Sequence, residues 1–209
     1  MIAATPTSEV TEPEQQVPQW LFAYDAATWA GYRALALIAA HRDHAERFLD
    51  ELASVDLHEP HQLTGLRASV LESLRLWPTT PIILRETTAE TTWATGTMPA
   101  GTTLSIFAPY FHRDDRRVPY ADRFAPEVWE GRTGGRELGD LTDEWPLLPF
   151  SAGPAVCPGR NLVLLTTSAF LGVLLSRLDP QLPREHPLHH GPPLPGTLDM
   201  FTLRFRPGR

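Results

Sequence analysis

A single cysteine, Cys157, is the residue of this sequence best suited to chemistry that requires a thiol. It lies in the segment 150-FSAGPAVCPGRNLVLL-165, where a loop rich in Pro and Gly leads directly into an apolar helical pattern. The thiol is therefore expected at or just before a helix N-terminus, where the helix dipole and unpaired backbone N–H groups stabilise a thiolate. A lone thiolate on a tight loop with flanking glycines suits the axial position of a haem iron.

The spacing around Cys157 resembles the cysteine loop of the cytochrome P-450 (haem-thiolate) superfamily, whose pattern is F-x-x-G-x-x-x-C-x-G. Phe150, Gly153, Cys157 and Gly159 occupy its four fixed positions. An arbitrary lone cysteine is more often a small buried hydrophobe, but four matches within ten residues favour the ligand. The resemblance implies haem b as cofactor, Cys157 as the metal ligand, and Phe150, Gly153 and Gly159 as cofactor-binding residues.

A pair of charged residues on a predicted helix is the second feature that resembles the family. Glu72 and Arg75 lie three residues apart in 70-VLESLRLWP-78 and therefore share one helix face. Such a pair is usually a solvated surface ion pair that contributes little to stability. In an apolar helix, however, the two side chains should be buried and bonded to each other. The segment resembles the family's E-x-x-R helix, and 122-DRFAPEVW-129 resembles its R-F-x-P-x-x-W motif. The resemblance implies a structural lock of Glu72, Arg75 and Arg123.

Haem propionates need cationic partners, and the resemblance implies two candidates. Family members often have His or Arg two residues before the cysteine, but this sequence has Ala155 there. Arg85 follows 81-PIIL-84, in the strand region that supplies a propionate-binding arginine in the family; the alternative is an exposed strand residue. His112, in 112-HRD-114, is either a second propionate donor or an ordinary loop histidine.

The long apolar segment near the start of the chain is the second place where chemistry is expected. The resemblance implies that this helix crosses the open face of the haem and carries A/G-G-x-D/E-T, whose acid and hydroxyl deliver protons to bound dioxygen. In 22-FAYDAAT-28 the acid is Asp25, whereas the threonine position holds Ala26. Thr28 is the alternative hydroxyl, and a substrate hydroxyl, an ordered water or peroxide-driven chemistry could also serve. A carboxylate on an alanine-rich buried helix is costly without a partner, which favours a catalytic role for Asp25.

The elements that must position these residues follow from hydrophobic periodicity. Apolar residues at helical spacing predict helices over residues 15–41, 43–53, 63–76 and 160–178. Residues 81–107, dense in Thr and Ile, predict short antiparallel strands with a turn at Pro99-Ala100-Gly101. Residues 108–149 are expected to be mostly loop, and 197-TLDMFTLRF-205 to be the last strand of a terminal hairpin.

These elements predict an α+β fold that is mainly helical, with small antiparallel β elements. Residues 1–14 are rich in Thr, Pro and Glu and are expected to form a disordered tail. Residues 15–209 are expected to form one unit, which resembles the C-terminal, haem-binding half of the cytochrome P-450 fold. A complete family domain would be roughly twice as long as this chain.

The composition excludes several classes of function. A net charge of −7 argues against nucleic acid as a partner and gives no reason to expect an anionic membrane surface. One cysteine excludes an internal disulfide framework, and no secretory signal is recognisable, so a cytoplasmic location is expected. The longest apolar run, around residues 162–175, is interrupted by hydroxyl side chains, so no membrane span is expected.

The resemblance implies a haem-thiolate monooxygenase of the bacterial soluble type, which inserts one oxygen atom of O2 into a small organic substrate. It also implies a ferredoxin or reductase as electron donor. For the N-terminal half of the domain two explanations stay open: truncation by a gene-model error, or a separate chain that supplies it. Two alternatives remain open: a non-catalytic haem-binding or interaction protein, and a degenerate fragment that lacks the N-terminal half.

Overall fold

The computed structural model describes residue 4 and residues 6–8, 12–56, 62–130 and 147–208. The helices predicted from apolar spacing are confirmed, and two short helices lie in the stretch that was expected to be loop. The described residues contain α1 (Gln16–Ala40), α2 (Arg42–Ser54), α3 (Thr64–Leu76), α4 (Ala108–His112), α5 (Glu127–Glu130) and α6 (Arg160–Leu178).

The strands of the described residues pair in three small antiparallel sheets. The strands predicted within residues 81–107 are confirmed, and Gly101, at φ 79°, lies in the predicted turn. The fold is therefore α+β and mainly helical. The pairs are β1 (Ile82–Glu86) with β4 (Thr103–Phe107), β2 (Thr91–Trp93) with β3 (Gly96–Met98), and β5 (Pro180–Gln181) with β6 (Arg206–Pro207).

Helix α3 is the centre of the core. Every one of its residues from 65 to 76 is buried, and the helix packs against α1, α5 and α6. The side chains of Glu72 and Arg75 on this helix are 0% exposed, so their charges must find partners inside the protein. This position of α3 decides the environment of Glu72 and Arg75.

Helix α1 is buried only over its second half, which corrects the expectation of a fully buried helix. Residues from Ala30 onward enter the core, whereas Leu21 and Phe22 are 64% and 63% exposed. Asp25 is exposed as well. Solvent reaches this end of the helix, so the Asp25 carboxylate carries no burial cost that would indicate a function.

A glycine lets α1 approach α6 closely. A methyl group on Gly31 would lie 2.9 Å from the Thr167 Cγ2 atom of α6, closer than side-chain carbons normally come. Thr167 is 8% exposed and lies on the buried side of α6. The two helices that carry the candidate chemistry are therefore positioned against each other through a backbone-to-side-chain contact.

The terminal hairpin with residues 197–205 as its last strand is wrong. A short 3-10 helix (Met200–Thr202) occupies this stretch, and the only strand of the described C-terminal residues is β6, which pairs with β5. The side chain of Asp199 caps the 3-10 helix by accepting from the Phe201 N–H at 2.9 Å. Asp and Thr side chains that bond nearby backbone groups compete in this way with strand pairing.

Two predictions fall partly or wholly outside the described residues. Within the predicted disordered tail, residues 1–14, the structure does not describe residues 1–3, 5 and 9–11. Within the predicted loop, residues 108–149, it does not describe residues 131–146. Within the tail region, Pro13–Gln15 forms one 3-10 turn directly before α1.

Helix α6 is long and apolar enough, by length and composition, to cross a membrane, and 33% of its apolar window is buried in the protein. Core helices of soluble proteins have the same length and composition. The expectation that this chain has no membrane partner stays a prediction.

Candidate functional site

The cysteine loop, residues 147–159, is held in a tight shape by its own backbone. The Cys157 N–H donates to the carbonyl oxygen of Phe150 at 2.9 Å, which closes the loop between the first and last parts of the motif. Ser151 and Gly153 have φ values of 63° and 62°, in the left-handed region. Glycine adopts this region without strain, which explains Gly153 in the pattern.

Cys157 lies three residues before α6 begins at Arg160, as the sequence predicts. Its carbonyl oxygen accepts from the Arg160 N–H at 3.3 Å, and no side chain caps the start of the helix. A methyl group on Gly159 would lie 3.9 Å from Sγ, in ordinary contact, so glycine leaves this side of the sulfur uncovered. The thiol is partly exposed and not in a disulfide, and the positive end of the α6 dipole lies beside it.

Arg85 on β1 reaches the cysteine loop from another part of the chain. Its Nη2 lies 3.5 Å from the Ser151 hydroxyl, and its Nη1 donates to the carbonyl oxygen of Leu84 at 2.8 Å. Arg85 is exposed, so its guanidinium is available to an anion at the edge of the loop. Sheet β1–β4 thus places a cation next to a loop that lies about seventy residues away in sequence.

Glu72 and Arg75 form a fully buried, two-pronged ion pair. Arg75 Nε and Nη2 donate to the two Glu72 carboxylate oxygens at 2.8 and 2.7 Å, and both side chains are 0% exposed. The remaining N–H groups of Arg75 donate to the backbone carbonyl oxygens of His112, Tyr120, Ala121 and Arg123. One guanidinium therefore fixes the chain on both sides of residues 113–119.

The expected contact of the Arg123 side chain with Glu72 is absent from the described structure. The Arg123 guanidinium points outward and lies 3.5 Å from Glu127 in an exposed ion pair, and only the Arg123 carbonyl joins the buried network. Glu72 instead accepts from the indole N–H of Trp129 at 2.8 Å and from the Ala125 N–H at 2.9 Å. A neutral indole replaces the second guanidinium because Trp129 is buried at this point, whereas Arg123 is at the surface.

His112 has a different position from the one expected of a propionate donor. It is 2% exposed, and its Nε2 accepts from the Leu148 N–H at 3.1 Å. Burial, together with the nearby Arg75 guanidinium, lowers the pKa of His112 to about 4, so the ring is neutral near pH 7. A neutral buried imidazole is a poor partner for a carboxylate, but it fixes the start of the cysteine loop.

On α1, Thr28 is not a free hydroxyl. Its Oγ1 donates to the carbonyl oxygen of Tyr24, one turn earlier, at 2.7 Å. Asp25 lines a hollow of about 140 Å³ together with Phe22, Ala26, Trp29 and Thr79. The structure thus separates the two candidate residues, with the carboxylate of Asp25 at the hollow and the Thr28 hydroxyl bonded to its own helix.

Comparison with known proteins places this sequence in a family. The sequence model described as Cytochrome P-450 matches residues 16–198. This chain belongs to the cytochrome P-450 family. The family is one of haem-containing oxidoreductases, and two relatives, one from Streptomyces and one from Fusarium, carry monooxygenase names.

Three relatives illustrate the range of the family. Cyclooctat-9-en-7-ol 5-monooxygenase of Streptomyces melanosporofaciens is 35% identical over 152 residues, which are 68% of this chain and 31% of that protein. Probable cytochrome P-450 4s3 of Drosophila melanogaster is 26% identical over 79% of this chain and 32% of its own length. Cytochrome P-450 71D178 of Origanum vulgare is 33% identical over 63% of this chain and 26% of its own length. The matched part thus spans between about a quarter and a third of the length of these relatives, which come from a bacterium, an insect and a plant.

The residues of the cysteine loop fit the haem that the family implies. The described loop offers one partly exposed sulfur, a type of donor that binds haem iron, at the positive end of a helix. Arg85, the cation that the propionates would need, lies against the same loop through Ser151. His112 does not complete this set, because its ring is buried and already bonded to Leu148.

Some contacts of this site were missed by sequence reasoning. The Trp129 indole was visible in the R-F-x-P-x-x-W pattern, yet the pattern does not say which side chain reaches Glu72. Arg113 was visible in the HRD segment; it pairs with Asp122 and donates to the carbonyl oxygens of Leu194 and Pro195. These bonds connect residues far apart in sequence, so no local spacing reveals them.

Proposed function

We propose that this chain is the C-terminal, haem-binding part of a cytochrome P-450 monooxygenase of the bacterial soluble type. The observation that best supports this proposal is the cysteine loop, in which a backbone hydrogen bond to Phe150 holds Cys157 next to the start of α6. When bound, haem b would supply the reductive activation of O2, with insertion of one oxygen atom into a small organic substrate and release of the other as water. Cys157 would be the axial ligand.

The other residues of the chain have supporting roles in this proposal. Arg85 binds a haem propionate, and the Glu72–Arg75 pair holds residues 112–125 in the shape that supports the loop. Asp25 holds and passes a proton on the oxygen side of the haem. Thr28 would take part only after its hydroxyl leaves the Tyr24 carbonyl.

The partners follow from the chemistry of the proposed reaction. Oxygen insertion consumes two electrons and two protons, so a ferredoxin or reductase would be the electron donor. A separate chain with the N-terminal part of the domain is supported by the exposed apolar residues Leu21, Phe22, Leu162 and Phe170. We also propose a cytoplasmic location.

The first experiment is the ferrous–carbon monoxide difference spectrum of the full chain after addition of haemin. A strongly red-shifted Soret band that disappears in Cys157→Ser supports thiolate ligation by Cys157. Ser176→Ala, an exposed hydroxyl on α6, is the matched control and should keep the band. A red-shifted band that survives in Cys157→Ser would refute ligation by this residue. A wild-type band at the position of a neutral-thiol complex would refute ligation by a Cys157 thiolate in this chain.

A haem titration tests the role of Arg85. Arg85→Ala should weaken haem binding by about fivefold to tenfold, since one exposed charge-assisted contact is lost. Arg117→Ala, which removes another exposed arginine, should leave the affinity unchanged. Equal effects of the two substitutions would mean that Arg85 acts only through the net charge.

A haem-binding protein without turnover is the second candidate function. The observation that favours it is Ala26 at the usual threonine position, together with the engaged hydroxyl of Thr28. If the haem-loaded chain is a monooxygenase, then in the presence of an electron donor the amount of oxygen consumed should equal the amount of oxygenated product formed. Haem binding with uptake that ends entirely in hydrogen peroxide would favour the second function.

A further inference from the structure

The hollow on α1 combines several chemical groups, of which the roles above use only the Asp25 carboxylate. Phe22, Asp25, Ala26 and Trp29 lie at positions i, i+3, i+4 and i+7 and therefore share one helix face. Thr79, just after the end of α3, also lines the hollow. The result is a small cavity with one carboxylate, two aromatic rings and one hydroxyl.

The carboxylate of Asp25 has no partner within the part of the chain that the structure describes. Among the residues that the structure describes, it forms no ion pair and no hydrogen bond. The guanidinium carbon of Arg33 lies 5.7 Å from the centre of the Trp29 ring. Arg33 is held elsewhere, because its N–H groups donate to the carbonyl oxygens of Trp77 and Leu198 at 2.9 and 3.2 Å.

This combination of groups is suited to a positively charged organic ligand. The faces of aromatic rings attract cations, by about 0.5–2 kcal/mol depending on exposure. A carboxylate beside such rings adds a Coulomb attraction that a neutral ligand does not feel. An anionic ligand would be repelled by Asp25, and a neutral one would gain only from the rings.

We propose that the hollow of Phe22, Asp25, Ala26, Trp29 and Thr79 binds the ammonium group of a small organic cation. Its volume of about 140 Å³ is below the range of roughly 300–1,000 Å³ that holds a whole drug-sized molecule, so it accommodates a head group rather than a complete large ligand. Ala26 keeps the space open, because its side chain is a single methyl group. That this cation is part of the oxidised substrate rests on the proposed function; the binding itself does not.

Calorimetric titration of the haem-free full chain with choline tests the site. Choline carries a quaternary nitrogen without a lone pair, so this nitrogen cannot coordinate a metal. Its neutral counterpart of the same shape, 3,3-dimethylbutan-1-ol, is the ligand control. Choline should bind at least fivefold more tightly than the alcohol, and the difference should shrink at high salt.

Three variants locate the binding. Asp25→Asn keeps the shape and removes the charge, and it should weaken choline binding about fivefold to tenfold without affecting the alcohol. Ala26→Leu fills the hollow and should weaken both ligands. Glu46→Gln removes one negative charge from the exposed face of α2 and should change neither.

Equal binding of choline and the alcohol, or choline binding that Asp25→Asn leaves unchanged, would overturn the proposal. Circular dichroism of each variant checks that the fold is retained, and Glu46→Gln shows the effect of net charge alone. The result is separate from the haem experiment. Choline binding without the red-shifted band refutes the proposed function only, whereas the band without choline selectivity refutes the cation site only.

Discussion

At the scale of single residues, the most constrained side chain is Glu72. Its two carboxylate oxygens are occupied by Arg75, Trp129 and the backbone of Ala125, without access to solvent. Removing one member of such a network leaves the others buried without a partner, which costs more than the pair contributes by itself. The position of this network beneath residues 112–125 makes it structural rather than catalytic.

Glu72→Ala should therefore lower the free energy of unfolding by about 3–5 kcal/mol, or prevent folding, because it leaves Arg75 as a buried, unpaired cation. The matched control is Glu127→Ala, whose exposed pair with Arg123 should contribute less than about 1 kcal/mol. Chemical denaturation followed by circular dichroism measures both. Similar losses of unfolding free energy in the two variants would show that the buried pair contributes no more to stability than the exposed one.

His112 gives the protein a specific dependence on pH. Its pKa in the folded chain, about 4, lies below the ordinary 6.5, so folding favours the neutral ring. The stability that this provides is fully present above pH 6.5 and is lost as the pH falls towards 4, by up to about 3 kcal/mol. Burial is the main cause, and the Arg75 charge adds to it.

The variant His112→Gln isolates this effect, because its amide oxygen can still accept from the Leu148 N–H but does not titrate. Unfolding free energies measured between pH 4 and 7.5 should fall less steeply in the variant than in the wild type. His41, His44 and His186 also have lowered pKa values and contribute to both slopes, so the difference reports His112. Parallel curves would mean that His112 protonates equally in the folded and unfolded chains.

At the scale of elements, the crossing of α1 and α6 places the two candidate regions relative to each other. It depends on the absence of a side chain at Gly31, opposite the Thr167 methyl group. A rigid β-branched side chain cannot easily move away from an added methyl group. A change at this crossing therefore alters the geometry of both the hollow and the cysteine loop.

Gly31→Ala should destabilise the chain by about 1–2 kcal/mol, because overpacking outweighs the better helix propensity of alanine. In the Thr167→Ser background, which removes the Cγ2 atom, the same substitution should become neutral or stabilising. A double-mutant cycle of unfolding free energies measures this coupling. Additive effects would show that the two positions do not clash.

At the scale of the whole molecule, the surface is unusually apolar along α1 and α6. Phe170 is 62% exposed, whereas the next residue, Leu171, is 1% exposed. A monomeric protein rarely exposes a long apolar face that no other surface covers. This surface is the structural basis for proposing that a further part of the domain packs against the described helices.

Substitution of these two neighbours by alanine should have opposite consequences. Leu171→Ala should cost about 2–5 kcal/mol through the cavity that it creates in the core. Phe170→Ala should change the stability of the chain by less than about 0.5 kcal/mol, while it reduces the binding of an apolar dye and the self-association seen by light scattering. A large loss of stability for Phe170→Ala would show that this ring is packed within the chain itself.

The sequence predicted the elements better than their environments. Helices α1, α2, α3 and α6 and the strands of residues 81–107 follow from local periodicity and turn residues, which act over a few neighbours. The terminal hairpin was wrong because the local bonds of Asp199 compete with strand pairing. The burial of the first half of α1 was also wrong, because an apolar helix pattern does not say whether another surface covers it.

The sequence by itself determined the family, the place of Cys157 before a helix and the pairing of Glu72 with Arg75, since each depends on spacing along one segment. Only the tertiary structure decided that Trp129, and not the Arg123 guanidinium, completes the lock. It also buried His112 and brought Thr79 to the face of α1 that carries Asp25. These contacts join segments far apart in the chain, and their geometry is set by how the helices pack rather than by any local pattern.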